Sequence, residues 1–191
     1  MTPRLAPVGG LVLAPGAGSD RSQSTLVAIE SAVAPLPVAR VDFPYRREGR
    51  RAPDRTPKLV ASLAADARAF ASEIQVASRR LAVGGRSMGG RMASMAVAEG
   101  LSAAALVLVA YPLHPPARPD RLRIEHLPHI VVPCLFVSGT RDPFGTPEEL
   151  ERATTTIAGP VTHHWVPGGR HELRGADARV AAVAAAWLRG L

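Results

Sequence analysis

The chain has 191 residues, 47% of them hydrophobic and 20% charged, and carries a formal net charge of +7. That length suits one domain that buries roughly 70% of its unfolded surface and needs no disulfide or structural metal to hold a core. The lone cysteine, Cys134, excludes an internal disulfide and a cysteine-rich zinc site, and no apolar run approaches the ~20 residues that span a bilayer.

Arginine supplies nearly all the positive charge, since Lys58 is the only lysine. Apart from Arg46-Arg47-Glu48-Gly49-Arg50-Arg51 the arginines are scattered, as on solvated faces, and two tyrosines make a poor surface for stacking bases. Nucleic acid and membrane are not expected partners; a small-molecule substrate is.

Residues 8–14 form a short apolar run broken by glycines, a first strand rather than the core of a signal peptide, so a cytoplasmic protein is expected. The run ends in the glycine-rich loop Pro15-Gly16-Ala17-Gly18. Asp20 precedes Gln23 by three residues, a capping-box pattern, and Leu26, Ile29 and Val33 follow at helical spacing until Pro35. Residues 38–43 read as a second strand and residues 44–55 as a basic, proline-bearing loop. Thr56-Pro57 opens a long helix with Leu59, Leu63, Phe70 and Ile74 on one face. A third strand, residues 81–84, runs into Gly85-Arg86-Ser87-Met88-Gly89, and Met88, Met92, Met95 and Ala96 mark the helix that follows, ended by Gly100.

Residues 104–110 are wholly apolar, as in a central parallel strand. A proline-rich loop (111–119) and a weak helical segment (121–127) come next. Residues 134–138 form a strand that leads to Gly139-Thr140-Arg141-Asp142, and Thr146-Pro147-Glu148-Glu149 starts another helix. Residues 161–166 are the last strand, followed by Gly168-Gly169-Arg170-His171. Val180, Val183, Ala184, Trp187 and Leu188 form the apolar stripe of a final helix.

About six strands alternating with helices predict a single α/β domain over residues 1–191, a doubly wound and mostly parallel sheet without a cap domain. Ligands of such sheets bind beyond the carboxyl ends of the strands. That face collects Gly16, Tyr45, Ser87, Tyr111, His114, Asp142 and His171, of which Gly16, Tyr45, Tyr111 and His114 are expected to touch substrate.

A G-x-S-x-G turn between strand and helix lifts a serine hydroxyl out of the sheet. The order Ser87, Asp142, His171, each after a strand, fits a nucleophile, an orienting acid and a base. A serine hydroxyl needs an adjacent base, imidazole accepts its proton near neutral pH, and a carboxylate fixes the imidazole tautomer. Oxyanion donors are expected from the backbone N–H groups of Met88 and Ala17. No metal or cofactor is expected: His163 and His164 would point to opposite faces of a strand, no H-E-x-x-H occurs, and Gly16-Ala17-Gly18 is too short for a dinucleotide loop.

In this order along the chain stand Pro15-Gly16-Ala17-Gly18, Asp42-Phe43-Pro44-Tyr45, Gly49-Arg50-Arg51-Ala52-Pro53-Asp54-Arg55, Gly85-Arg86-Ser87-Met88-Gly89-Gly90-Arg91, Tyr111-Pro112-Leu113-His114-Pro115-Pro116 and Gly139-Thr140-Arg141-Asp142-Pro143-Phe144-Gly145. Together they resemble a group of small lidless α/β-hydrolases, related to dienelactone-hydrolase-like enzymes and to a subunit of the non-specific-lethal chromatin complex. The resemblance implies an α/β-hydrolase fold and a Ser87–Asp142–His171 triad, but no particular substrate. Pro15 stands where such enzymes often carry a histidine, which leaves a backbone donor at Ala17 but no imidazole to brace the loop.

The expected activity is that of a serine hydrolase acting on a carboxylic ester or thioester of a small acyl group through an acyl-enzyme. The chromatin-associated relatives imply an alternative, a catalytically silent interaction module using the basic loop and residues 111–119. Loop 46–55 has two readings as well: it rims the pocket and favours acidic substrates, or it is solvated with its charges paired internally. Oligomeric state is not legible.

Overall fold

The computed structural model describes residues 7–191. Its strands are β1 (Gly10–Ala14), β2 (Val38–Arg40), β3 (Leu81–Arg86), β4 (Ala105–Val109), β5 (Cys134–Gly139) and β6 (Val161–Val166). They form one sheet in the order β2-β1-β3-β4-β5-β6, with every neighbouring pair parallel. The chain steps outward from β1 to β2 and then returns to build the other side from β3. The carboxyl ends of β1 and β3 therefore flank the switch point at which such sheets take ligands.

The helices are α1 (Ser24–Val33), α2 (Pro44–Arg47), α3 (Thr56–Glu73), α4 (Met88–Ala98), α5 (Pro147–Thr154) and α6 (Asp177–Arg189). Successive strand residues point to opposite faces, and the core divides accordingly. Leu11, Leu13, Val107, Val109, Leu135 and Val137 pack under α1 and α6. Val12, Val83, Leu106, Leu108 and Phe136 pack under α3, α4 and α5 on the other face. A sheet covered on both sides has strands that are apolar at every position, and β1 and β4 are buried along their whole length. Among the described residues no inserted domain covers the strand ends, and no helix is long and apolar enough to cross a membrane.

Four local expectations differ. The second strand is short because β1 runs out at Pro15: Val41 N–H still bonds Leu13 O, but the Asp42 carboxylate turns away to accept the Arg21 amide at 2.7 Å. Pro44 then begins a short helix where a loop was expected. The capping box at Asp20 and Gln23 does not form. Asp20 accepts the Ser22 amide, while Gln23 Oε1 reaches back to the Gly16 amide. The segment 121–127 is not helical, because the Arg123 amide is drawn to Leu113 O at 2.9 Å; only a single 3₁₀ turn, Leu127–His129, follows.

Where backbones must approach closely, glycine is required. A Cβ at Gly85 would lie 2.2 Å from Ala14 O, and one at Gly89 would lie 2.1 Å from the same atom. At the other end of the site a Cβ on Gly139 would lie 2.2 Å from Gly169 O. That contact joins the loop after β5 to the loop after β6. The substitution Gly139→Ala is expected to cost about 1–3 kcal/mol and to lower the thermal midpoint by about 3–10 °C in calorimetry, because both atoms in conflict belong to the backbone.

Candidate active site

Ser87 sits between β3 and α4 at φ 51°, ψ −117°, a left-handed conformation that a side-chain-bearing residue adopts at a cost of about 1–3 kcal/mol. The surroundings hold it there. Its amide bonds Val109 O at 2.8 Å, and its carbonyl accepts the Arg91 amide at 3.0 Å in the first turn of α4. The strained turn lifts the hydroxyl off the sheet edge.

The hydroxyl of Ser87 lies 2.8 Å from His171 Nε2, and His171 Nδ1 lies 2.8 Å from Asp142 Oδ2. A carboxylate beside Nδ1 favours the tautomer with its proton there, so the Ser87 hydroxyl donates to Nε2. Asp142 is 4% exposed. Its Oδ1 also accepts the Phe144 amide at 2.8 Å, so both carboxylate oxygens are occupied. The loops that carry Asp142 and His171 are bonded to each other: Arg141 N–H donates to Gly169 O at 2.8 Å and Gly168 N–H to Thr140 Oγ1 at 2.8 Å. The Phe144 ring lies against the imidazole with ring centroids 4.0 Å apart. Arg86 Nη2 donates to the His171 carbonyl at 2.9 Å, tying the strand that precedes Ser87 to the loop that carries His171.

Met88 and Ala17, the residues expected to supply backbone donors, both line the cleft that holds Ser87. Met88 is the first residue of α4, where an amide has no acceptor within the helix. Ala17 is at the tip of a turn closed by Ser19 N–H to Gly16 O (3.2 Å), with Gly18 at φ 76°. Gly16, Ala17, Ser87, Met88 and His171 all line one cleft of about 560 Å³. Gln23 supplies the brace that Pro15 cannot, holding the Gly16 amide at 3.1 Å.

The Alpha/beta hydrolase domain family matches residues 8–186. The chain belongs to that family. Solved structures share the arrangement. Dienelactone hydrolase from Anabaena variabilis superposes with a TM-score of 0.73 at 22% identity, covering 95% of this chain and 86% of that one. Est1E from Butyrivibrio proteoclasticus gives 0.77 at 15%, covering 95% and 87%. The RedJ thioesterase from the prodiginine pathway of Streptomyces coelicolor gives 0.69 at 18%, covering 97% and 87%. At these identities the likeness is one of fold.

Within this α/β-hydrolase, three residues expected to touch substrate do not line the cleft. Tyr45 is fully buried in the core, stacked with Phe43, and burial raises its phenol above the usual value. Tyr111 is buried beneath the cleft, donating to Arg123 O at 3.1 Å, its phenol pushed up to about 12 by desolvation. His114 is turned away to Pro115 O (2.8 Å) and Glu149 (3.4 Å). Standing after a strand puts a residue at the right end of the sheet but does not decide whether its side chain points up or in. Gly16 does line the cleft.

Loop 46–55 pairs three of its arginines, one within the loop and two with carboxylates outside it. Arg46 meets Asp20 at 3.3 Å, Arg47 pairs with Asp66, and Arg50 bridges Glu48 (2.6 Å) and Asp54 (2.9 Å). The loop gives the cleft Pro53 and Asp54, not its arginines. Cleft arginines come instead from elsewhere: Arg86, Arg91 and Arg123. Cys134 is buried, its thiol pushed up to about 12 by desolvation. Among the described residues no three His, Cys, Asp or Glu side chains converge as metal ligands.

Gln23, Arg86 and Phe144 were assigned no part in the site from the sequence, where Gln23 was read only as a helix-cap residue, although each holds part of the site in place. Substituting Gln23→Leu is expected to lower kcat for an ester about tenfold or more by freeing the Gly16–Ala17 turn, with Gln23→Glu, which keeps the acceptor, retaining most of the rate; steady-state kinetics on both variants checks this. His126, hydrogen-bonded to Ser94 Oγ at 2.8 Å beneath the cleft, is pushed down to about 4 by burial and by the Arg91 guanidinium. The folded protein therefore binds this proton less readily than the unfolded chain, whose value lies near 6.5. Its contribution is complete above about pH 6.5 and is lost as the pH falls toward about 4, so the thermal midpoint should drop across that window, less steeply in His126→Gln.

Proposed function

We propose that this chain is a serine hydrolase that cleaves a carboxylic ester or thioester of a small acyl group through an acyl-enzyme. The observation that carries the reading is the unbroken line from Ser87 Oγ to His171 Nε2 (2.8 Å) and from His171 Nδ1 to Asp142 Oδ2 (2.8 Å). A protein that served only as a binding module has no physical use for a buried carboxylate, an oriented imidazole and a strained serine in one hydrogen-bonded row. That argument supports catalysis over an interaction role.

In the reaction, Ser87 Oγ attacks the acyl carbonyl carbon while its proton passes to His171 Nε2. Asp142 stabilises the imidazolium so formed and keeps its orientation. The carbonyl oxygen becomes an oxyanion facing the Met88 and Ala17 amides, with the α4 N-terminus adding a favourable dipole. Collapse expels the alkoxide or thiolate, which takes the proton from His171, and leaves the acyl group on Ser87. Water, deprotonated by His171, then attacks the acyl-enzyme; the acid departs and the proton returns to Ser87. An uncapped cleft of about 560 Å³ suits short or exposed acyl groups.

The esterase and thioesterase activities named for the fold relatives are consistent with this chemistry. A fluorophosphonate probe should label Ser87, and short p-nitrophenyl esters should turn over. Ser87→Ala abolishes both. Asp142→Asn is expected to reduce kcat by about 10³–10⁴-fold, since an amide no longer enforces the imidazole tautomer. Folded protein that neither labels at Ser87 nor hydrolyses any short ester would refute the reading.

A further inference from the structure

Arg91 stands in the first turn of α4, four residues after Ser87, and lines the same cleft as Arg123 from the connection after β4. Its position is electrostatically unfavourable. The first turn of a helix is the positive end of its dipole, where an acid stabilises and a cation does not. Arg91 Nε is buried without a hydrogen-bond partner. Arg123 offers Nη1 only to the Pro112 carbonyl, at 3.4 Å, and desolvation together with the Arg91 charge lowers its guanidinium from the usual value.

Among the described residues no ion pair relieves the two cations. Of the carboxylates on the cleft, Asp54 is held by Arg50 at 2.9 Å and Lys58 at 3.1 Å, and Glu172 is exposed and carries no ion pair with either arginine. Glu125, exposed, acts on His126 and Tyr111 and pairs with neither arginine. Beneath them lie Ser94, Tyr111 and His126, joined by hydrogen bonds and uncharged at neutral pH. Two guanidinium groups thus share a partly desolvated cleft with no counter-charge, an arrangement that an incoming oxyanion relieves. The planar fork of a guanidinium matches a carboxylate in two parallel hydrogen bonds.

We propose that Arg91 and Arg123 form a carboxylate-binding subsite beside Ser87, so that the ester or thioester cleaved here carries a carboxylate remote from its scissile carbonyl. The proposal rests on the serine-hydrolase reading for its substrate, though the subsite itself binds without turnover.

Two matched pairs of esters test it. Mono-4-nitrophenyl adipate against its methyl-capped ester places the carboxylate on the acyl side. The pair 4-carboxyphenyl acetate and its methyl ester places it on the leaving side. The charged member of at least one pair should be preferred about tenfold or more in kcat/KM, mainly through KM, and the preference should shrink as NaCl is raised. The pair that responds assigns the side. Arg91→Gln and Arg123→Gln should each move the ratio toward one, and Arg91→Lys should retain part of it.

Ratios near one in both pairs, or ratios unchanged in folded Arg91→Gln and Arg123→Gln proteins, overturn the subsite. Should a glutamine variant fail to fold, salt dependence and competitive inhibition by adipate in the unmodified protein decide the matter, absence of both overturning it. Should the protein hydrolyse no ester and resist the fluorophosphonate, the functional reading fails on its own. Calorimetric titration with adipate then judges the subsite: binding that weakens in Arg91→Gln upholds it, and no binding overturns it.

Discussion

The close approach of the Ala14 carbonyl to Gly85 and Gly89 is the contact on which the site is built. Any Cβ at either glycine would come within about 2.2 Å of that oxygen, so β1 could not lie where it does. With β1 in place, the chain leaving it through Pro15 and Gly16 brings Ala17 to the cleft that holds Ser87. The same approach seats the first turn of α4 against the end of β1 and presents the Met88 amide beside Ser87. The unfavourable φ of Ser87 is sustained because both of its flanks are already fixed, by the sheet on one side and by α4 on the other.

The charges of the site are arranged by burial rather than by number. Asp142 is nearly inaccessible, yet its oxygens are occupied by an imidazole and an amide, which is how a buried carboxylate avoids the cost of desolvation. The arginine-rich loop over residues 46–55 is the densest positive stretch in the chain, but its carboxylate neighbours neutralise much of it. Arg91 and Arg123, which line the cleft, are more widely spaced in the sequence and form no ion pair among the described residues. Net charge along a segment therefore says little about the field inside the cleft.

Much of the architecture was legible in the order of residues. The residue range of β6 was read correctly, β1, β3, β4 and β5 were read to within a residue or two, and the all-parallel sheet follows from alternation of strands with helices. The relative order of Ser87, Asp142 and His171, at the ends of β3, β5 and β6, placed them on one face before any distance was known. Side-chain direction was not legible. Tyr45, Tyr111 and His114 stand at the correct end of the sheet, but large aromatic surface favours the core unless something outside holds it. Gln23 was read as a helix cap because Asp20 precedes it by three residues; an amide on that spacing can equally serve a distant loop. Arg91 was within reach of sequence reasoning, since four residues along a helix return to the face of Ser87. Arg123 was not, because its position depends on how an irregular, proline-rich connection folds back.

The start of α1 touches both halves of the machinery. Gln23, just before the helix, grips the Gly16 amide, and Thr25 Oγ1, in its first turn, donates to Asp177 Oδ1 at 2.5 Å at the beginning of α6, shortly after the histidine loop. The Gly16–Ala17 turn and the start of α6 follow strands far apart in the sheet order, yet both are bonded to residues within one helical turn. A small rotation or slide of α1 would therefore detune the two together rather than separately. The face of the sheet that α1 and α6 cover is thus joined mechanically to the rim of the cleft.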